Sequence, residues 1–130
     1  MAAEKKFEEQ IKKYLKDNGI YRLGTPKQDM KNKNIGYYEK RFANAYTGSG
    51  LPDLHIVIKG ISIEVEIKAE NGRASELQKI KLKQIVESNS IGFVLYPKDF
   101  ELFKELIQEI IVEQYDCRAF ERSDRFGKKV

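Results

Sequence analysis

The residues with the most chemistry in them lie close together, in the stretch 49–70. It reads Ser-Gly-Leu-Pro-Asp-Leu-His-Ile-Val-Ile-Lys-Gly-Ile-Ser-Ile-Glu-Val-Glu-Ile-Lys-Ala-Glu. Two β-rich runs flank Lys59-Gly60, a pair that signals a tight hairpin. With a two-residue loop there, positions whose numbers sum to 119 face each other, so Asp53 stands opposite Glu66. Alternation along the strands then gathers Leu54, Ile56, Ile58, Ile61, Ile63, Val65 and Ile67 on one apolar face. The other face carries Asp53, His55, Val57, Ser62, Glu64, Glu66 and Lys68. Like charges directly opposite are destabilising, and Asp53 and Glu66 need compensation. Lys68 supplies one positive charge, and a divalent cation held by oxygen ligands would supply the rest. Glu64 by itself reads as an ordinary solvated position.

These residues also carry a resemblance. Pro52-Asp53 followed by Glu66-Ile67-Lys68 on the next strand resembles the motif of the PD-(D/E)xK nucleases. The wider pattern adds Gly50-Leu51 before it and Gly72-Arg73-x-Ser75-x-x-Gln78 after it. It is similar to the virus-type replication-repair nuclease (VRR-NUC) family over roughly residues 8–107. The resemblance implies a metal-dependent endonuclease hydrolysing DNA phosphodiester bonds. Its site would hold Mg²⁺ or Mn²⁺ on Asp53, Glu66, the Ile67 carbonyl and a glutamate of an upstream helix. Glu8 is placed for that role by Ile11 and Leu15, with Glu9 as the alternative; both also suit a helix N-terminus through its dipole. Lys68 would orient water or stabilise charge on the transition state. Gln78 would join the catalytic set, although Ser75 and Gln78 also have the spacing of a capping box. His55 is outside the motif. The stand-alone proteins of this family further imply a homodimer acting on branched DNA, in the manner of a Holliday junction resolvase. A non-catalytic DNA-binding module on the same fold and a restriction-type endonuclease are the alternatives.

The elements that must position these residues follow from periodicity. Phe7, Ile11, Tyr14 and Leu15 mark a helix over 3–18, stopped at Asn18-Gly19. Residues 20–48 read as a loop followed by one or two strands containing Tyr37, Tyr38, Phe42, Ala43, Ala45 and Tyr46. After the hairpin comes a helix whose buried side would be Leu77, Ile80, Ile85 and Val86, with Lys79, Lys81 and Lys83 solvated. A buried strand over 91–96 ends at Pro97, and an apolar stripe from Phe100 to Ile111 marks a last helix. This order predicts an α/β fold, a mixed sheet with helices on both faces and an αβββαβ core. The resemblance makes that fold restriction-endonuclease-like. Residues 1–114 form a single domain, and 115–130 read as a polar, basic tail that frays at its end.

Composition narrows the remaining classes. The 130 residues are 41% hydrophobic, enough for a core without disulfides, and Cys117 is the single cysteine. No apolar run approaches the roughly 20 residues of a membrane span, and the charged N-terminus lacks the apolar core of a signal peptide, so a cytoplasmic setting is expected. Net charge is +4. Residues 21–50 hold Arg22, Lys27, Lys31, Lys33, Lys40 and Arg41 against Asp29 and Glu39, which accounts for that surplus. A localised basic stretch points to a polyanion. Lys31, Lys33, Lys40 and Arg41 are therefore candidate DNA contacts, and Arg73 of the resembled pattern joins them.

Overall fold

In a computed structural model, residues 2–42, 50–112 and 119–128 are described. The expectations for Ala43, Ala45, Tyr46, Ser49 and Cys117, and for the tail at 115–118 and 129–130, fall outside them. The chain runs α1 (Ala2–Asp17), β1 (Ile20–Arg22), β2 (Gly36–Lys40), β3 (Leu54–Ile58), β4 (Ile61–Ile67), α2 (Glu76–Glu87), β5 (Ile91–Leu95), α3 (Phe100–Val112) and α4 (Ala119–Ser123). The five strands form one sheet in sequence order. β1 and β2 are parallel, β3 is antiparallel to both β2 and β4, and β4 and β5 are parallel across the α2 crossover. The expected α/β class, a mixed sheet flanked by helices, is what the chain adopts.

The hairpin has the expected register, with Leu54 opposite Val65 and Ile58 opposite Ile61. Lys59 and Gly60 both take positive φ (50° and 86°), the geometry whose twist matches a two-residue hairpin. The apolar face of this ribbon joins Ile91, Phe93 and Leu95 of β5 in the core. Phe7, Ile11 and Leu15 of α1 and Phe103, Leu106, Ile107 and Ile110 of α3 cover it. Phe7 meets Phe100 edge-on with ring centres 5.5 Å apart, tying the two helices together above the sheet. Among the described residues no helix is long and apolar enough to cross a membrane.

Two expectations give way. In α2 only Leu82 is buried, while Leu77 and Ile80 are 42% and 52% exposed. The inward stripe is Gln78, Leu82, Ile85 and Val86, which rotates Leu77 and Ile80 outward. The last three press on Gly92 so closely that a Cβ there would lie 3.2 Å from Ile85 Cγ2. An apolar pattern alone does not reveal a stripe that starts with a polar residue. The second concerns the expected tail of 115–130, whose described part packs on the sheet. Phe126 stacks on Phe93 with ring centres 3.7 Å apart, Arg122 is fully buried, and Ser123 Oγ accepts a 3.0 Å hydrogen bond from the Gly92 amide. α4 thereby covers the β5 edge, which would otherwise expose unpaired amides. Phe126→Ala is expected to cost about 3 kcal/mol of stability, read as a lowered urea midpoint. An unchanged midpoint would mean that the segment only lies on the surface.

Candidate active site

The polar face of the hairpin opens at one end of the sheet, where β2 and β4 end and β3 begins. Asp53 sits just before β3 and is fixed by the chain opposite, because its Oδ2 accepts a 2.7 Å hydrogen bond from the Ile67 amide. Continuing the observed register places it across from Glu66, as the hairpin spacing predicts. On its other side the Arg41 amide donates to the Asp53 carbonyl at 2.8 Å. Asp53 is therefore held by backbone amides on both flanks, its carboxylate by Ile67 and its main chain by Arg41.

Glu66 is only 2% exposed. Its Oε2 accepts from Gln78 Nε2 at 3.0 Å and lies 3.4 Å from Lys68 Nζ. Its Oε1 is buried, with no hydrogen-bond donor among the described residues. Burial first, then the neighbouring Asp53 charge and a hydrogen bond that the protonated form shares with Asp53, push the Glu66 carboxyl up to about 8, with Lys68 opposing. Gln78 caps its helix and also reaches Glu66. Its side-chain Oε1 accepts from the Ser75 amide at 2.7 Å, and its own amide donates to Ser75 Oγ at 3.1 Å, completing the capping box. The remaining NH₂ group is then free to hold Glu66.

The upstream helix contributes Glu8 rather than Glu9. Glu8 Oε1 is 2.6 Å from Lys40 Nζ, Glu8 Oε2 is 2.9 Å from Lys12 Nζ, and Lys40 Nζ lies 3.9 Å from Asp53 Oδ1. Burial would raise the Glu8 carboxyl, but the hydrogen bonds and charges of Lys40 and Lys12 outweigh it and hold it below its ordinary value. Glu8 thus approaches Asp53 through an ammonium group. Among the described residues no three acidic, histidine or cysteine side chains gather as a metal cluster. Asp53 and Glu66 are the two carboxylates that could hold a cation. Adjacent carboxylates, one with a buried oxygen that no donor among the described residues reaches, fit a hard divalent cation.

The basic residues of the 21–50 stretch separate into different places. Lys40, read as a phosphate contact, belongs to the site itself, between Glu8 and Asp53. Arg41 is committed to the protein, with Nη1 2.5 Å and Nη2 3.0 Å from the two oxygens of Glu64. It also reaches the Pro52 carbonyl at 3.2 Å. Glu64 accordingly is not a solvated position but is buried under that bidentate pair. The reason lies in the pairing of β2 with β3, which sets Lys40 opposite Leu54 and leaves Arg41 on the Glu64 face. Lys31 lines a groove beside α1, whereas Lys33 lies elsewhere, with Leu23, Tyr37 and Lys59. Arg73 borders a cavity shared with Lys79, Tyr96 and Lys98. His55 Nε2 lies 3.0 Å from Ser62 Oγ and 3.8 Å from Glu64 Oε2, outside the Asp53–Glu66 contacts.

Arg41→Ala would leave Glu64 buried without its partner. The loss is expected to be about 2 kcal/mol, below the range for fully buried pairs because the guanidinium is partly exposed. A urea titration reads it, and removing both partners as Arg41→Met with Glu64→Gln should recover most of the loss. An Arg41→Ala protein of wild-type stability would return Arg41 to the candidate DNA contacts. Comparison of the chain with protein-family models, with curated proteins and with solved structures found no match.

Proposed function

We propose that this chain is a divalent-metal-dependent phosphodiester hydrolase of the PD-(D/E)xK type, similar to the VRR-NUC family. The observation that carries the reading is Glu66: buried, held opposite Asp53, bonded by Gln78, faced by Lys68, and with one buried oxygen that no donor among the described residues reaches. A purely structural acid at that position would be expected to have all its lone pairs answered. Asp53 and Glu66 would hold Mg²⁺ or Mn²⁺, with the Ile67 carbonyl as the further ligand that the resemblance implies. When bound, such an ion polarises a phosphoryl oxygen and makes water a stronger nucleophile at neutral pH.

The protein's own groups then divide the work. The Ile67 amide fixes one oxygen of Asp53, and the other lies 3.9 Å from Lys40 Nζ. Gln78 holds the Glu66 carboxylate in one orientation from the rigid first turn of α2. Lys68 presents its ammonium to the same carboxylate, where it can also orient water or offset negative charge building on a phosphoryl group. Lys40 neutralises Glu8 beside Asp53 and limits the total negative charge that an incoming phosphate would meet.

As to substrate, the proposal is DNA, with branched DNA such as a four-way junction cut by a homodimer. One small domain carries one such site, and resolving a junction needs two cuts related by near two-fold symmetry, which a C₂ dimer supplies. Light scattering combined with a cleavage panel of junction, flap, linear duplex and RNA substrates tests this. A dimer that prefers the junction is expected, and a monomer that cuts linear duplex equally fast would remove the junction while leaving the hydrolase.

A further inference from the structure

Beside the site, α1 and the segment 23–34 enclose a groove that the site's chemistry does not use. Lys12, Lys16, Tyr21, Arg22, Lys31 and Tyr38 line it, and it continues past Lys16 and Arg22 to Thr25 and Gln28. Its cations are not equivalent. Lys12 is paired with Glu8 at 2.9 Å, and Lys13 with Asp17 at 2.9 Å. Lys16, Arg22 and Lys31 are exposed and make no ion pair among the described residues. Tyr38, whose hydroxyl is likewise without a hydrogen-bond partner there, stands opposite Arg22 on the neighbouring strand and lines the groove with Lys12.

The groove is also built to keep its shape. Tyr21 Oη accepts from the Asn32 amide at 2.8 Å and lies 3.2 Å from the Asn32 carbonyl. Asn32 Nδ2 donates to the Asp17 carbonyl at 3.1 Å, and the Ile35 amide to the Gly19 carbonyl at 3.0 Å. Gly19 takes φ +82°, and any Cβ there would collide with the Lys33 carbonyl oxygen. The segment carrying Lys31 is thereby fastened to the end of α1. Glu9, Asp17 and Asp29 also line the groove, but Glu9 and Asp17 pair with Lys12 and Lys13, so Lys16, Arg22 and Lys31 are held together as a cationic surplus. Such a surface fits an extended chain of phosphates. Asn32 is already occupied and Tyr21 is buried, so apart from Gln28 at its far end the groove offers chiefly charge and hydroxyl groups, which suit phosphates better than base edges. Its near end is Lys12, whose ammonium also touches Glu8. Lys16 is one helical turn, about 6 Å, further away from the site.

We propose that this groove is a second subsite of the nuclease, in which Lys16, Arg22 and Lys31 bind the backbone phosphates of the nucleic-acid arm running from the cleaved bond along α1, without regard to sequence. The proposal rests on the hydrolase reading for what lies at the groove's near end. The test uses the full chain and a fluorescently labelled DNA four-way junction, with anisotropy measured across a salt series in Ca²⁺ to separate binding from cleavage. The Lys16→Gln, Arg22→Gln, Lys31→Gln triple variant is compared with a charge-matched control, Lys6→Gln, Lys27→Gln, Lys83→Gln. The groove variant is expected to bind about tenfold or more weakly at low salt. Its slope of log affinity against log salt should be shallower by about two to three, one counterion-releasing contact per residue. Lys16→Arg, Arg22→Lys, Lys31→Arg should retain wild-type binding, which also guards against misfolding. Equal losses in the groove and control variants would overturn the subsite, as would binding confined to anionic phospholipid vesicles. Failure of the site reading looks different. If the wild type binds the junction through the groove yet cuts nothing in Mg²⁺, the groove stands and the hydrolase falls.

Discussion

Glu66→Gln is expected to abolish Mg²⁺-dependent cleavage, by about a thousandfold or more, while making the metal-free protein more stable. Both effects come from the same feature. The wild-type carboxyl is buried beside Asp53 and pushed from 4.5 to about 8. A folded state that binds a proton more tightly than the unfolded chain loses stability as pH rises between those two values. The metal-free wild type should therefore be most stable near the acid end of that window and lose on the order of a few kcal/mol by pH 8 or above. A neutral amide at position 66 keeps the size and the bond from Gln78, removes the buried charge, and should flatten this dependence. Added Mn²⁺ binds the ionised native state and should restore the wild type. A concentration one hundred times the dissociation constant gives about 2.7 kcal/mol. Glu66→Gln should show almost none of that gain. Melting curves from pH 5 to 9, with and without Mn²⁺, read all of this. A wild type whose stability rises steadily over that range would contradict the buried, proton-binding Glu66.

Lys68→Ala should separate chemistry from cation binding. Lys68 Nζ faces Glu66 Oε2 at 3.4 Å but is not itself an oxygen ligand. Without it, cleavage is expected to fall by about a hundredfold or more, as for other groups that stabilise developing negative charge. The Mn²⁺-induced rise in melting temperature should persist, because Asp53 and Glu66 remain. Lys68→Arg keeps the charge but alters its reach and geometry, and should recover only part of the rate. If Lys68→Ala removed the Mn²⁺ shift as completely as Glu66→Gln, Lys68 would be a structural support for the carboxylates and not a participant.

How far the sequence discloses this arrangement depends on the separation over which each contact is made. Asp53 and Glu66 are joined by a hairpin whose two turn residues set the register, so their opposition can be read by counting from Lys59-Gly60. Ser75 and Gln78 lie three residues apart in the first turn of a helix, and their capping box is equally local. Glu66 and Gln78 share a face only because α2 folds back over β4, and there the resemblance pointed where spacing did not. The Arg41–Glu64 pair was hidden for a different reason. It depends on how β2 registers against β3 across a connection that carries no turn signature. The same missing register concealed Lys40, which looked like one more basic residue of a loop and instead bridges Glu8 and Asp53. β1 has three residues, too few for alternation to show. Phe126, embedded among Arg, Ser and Lys, gave no periodic signal, although its stacking on Phe93 completes the core.

The most direct measurement is the conversion of supercoiled plasmid and of a labelled four-way junction by the purified chain in Mg²⁺, in Mn²⁺ and in EDTA, beside Glu66→Gln. Nicking or cleavage that requires the divalent ion and disappears in the Glu66→Gln protein is the predicted result. DNA left intact by the wild type in both metals, or cut equally well in EDTA or by Glu66→Gln, would contradict a metal-dependent hydrolase centred on Asp53 and Glu66.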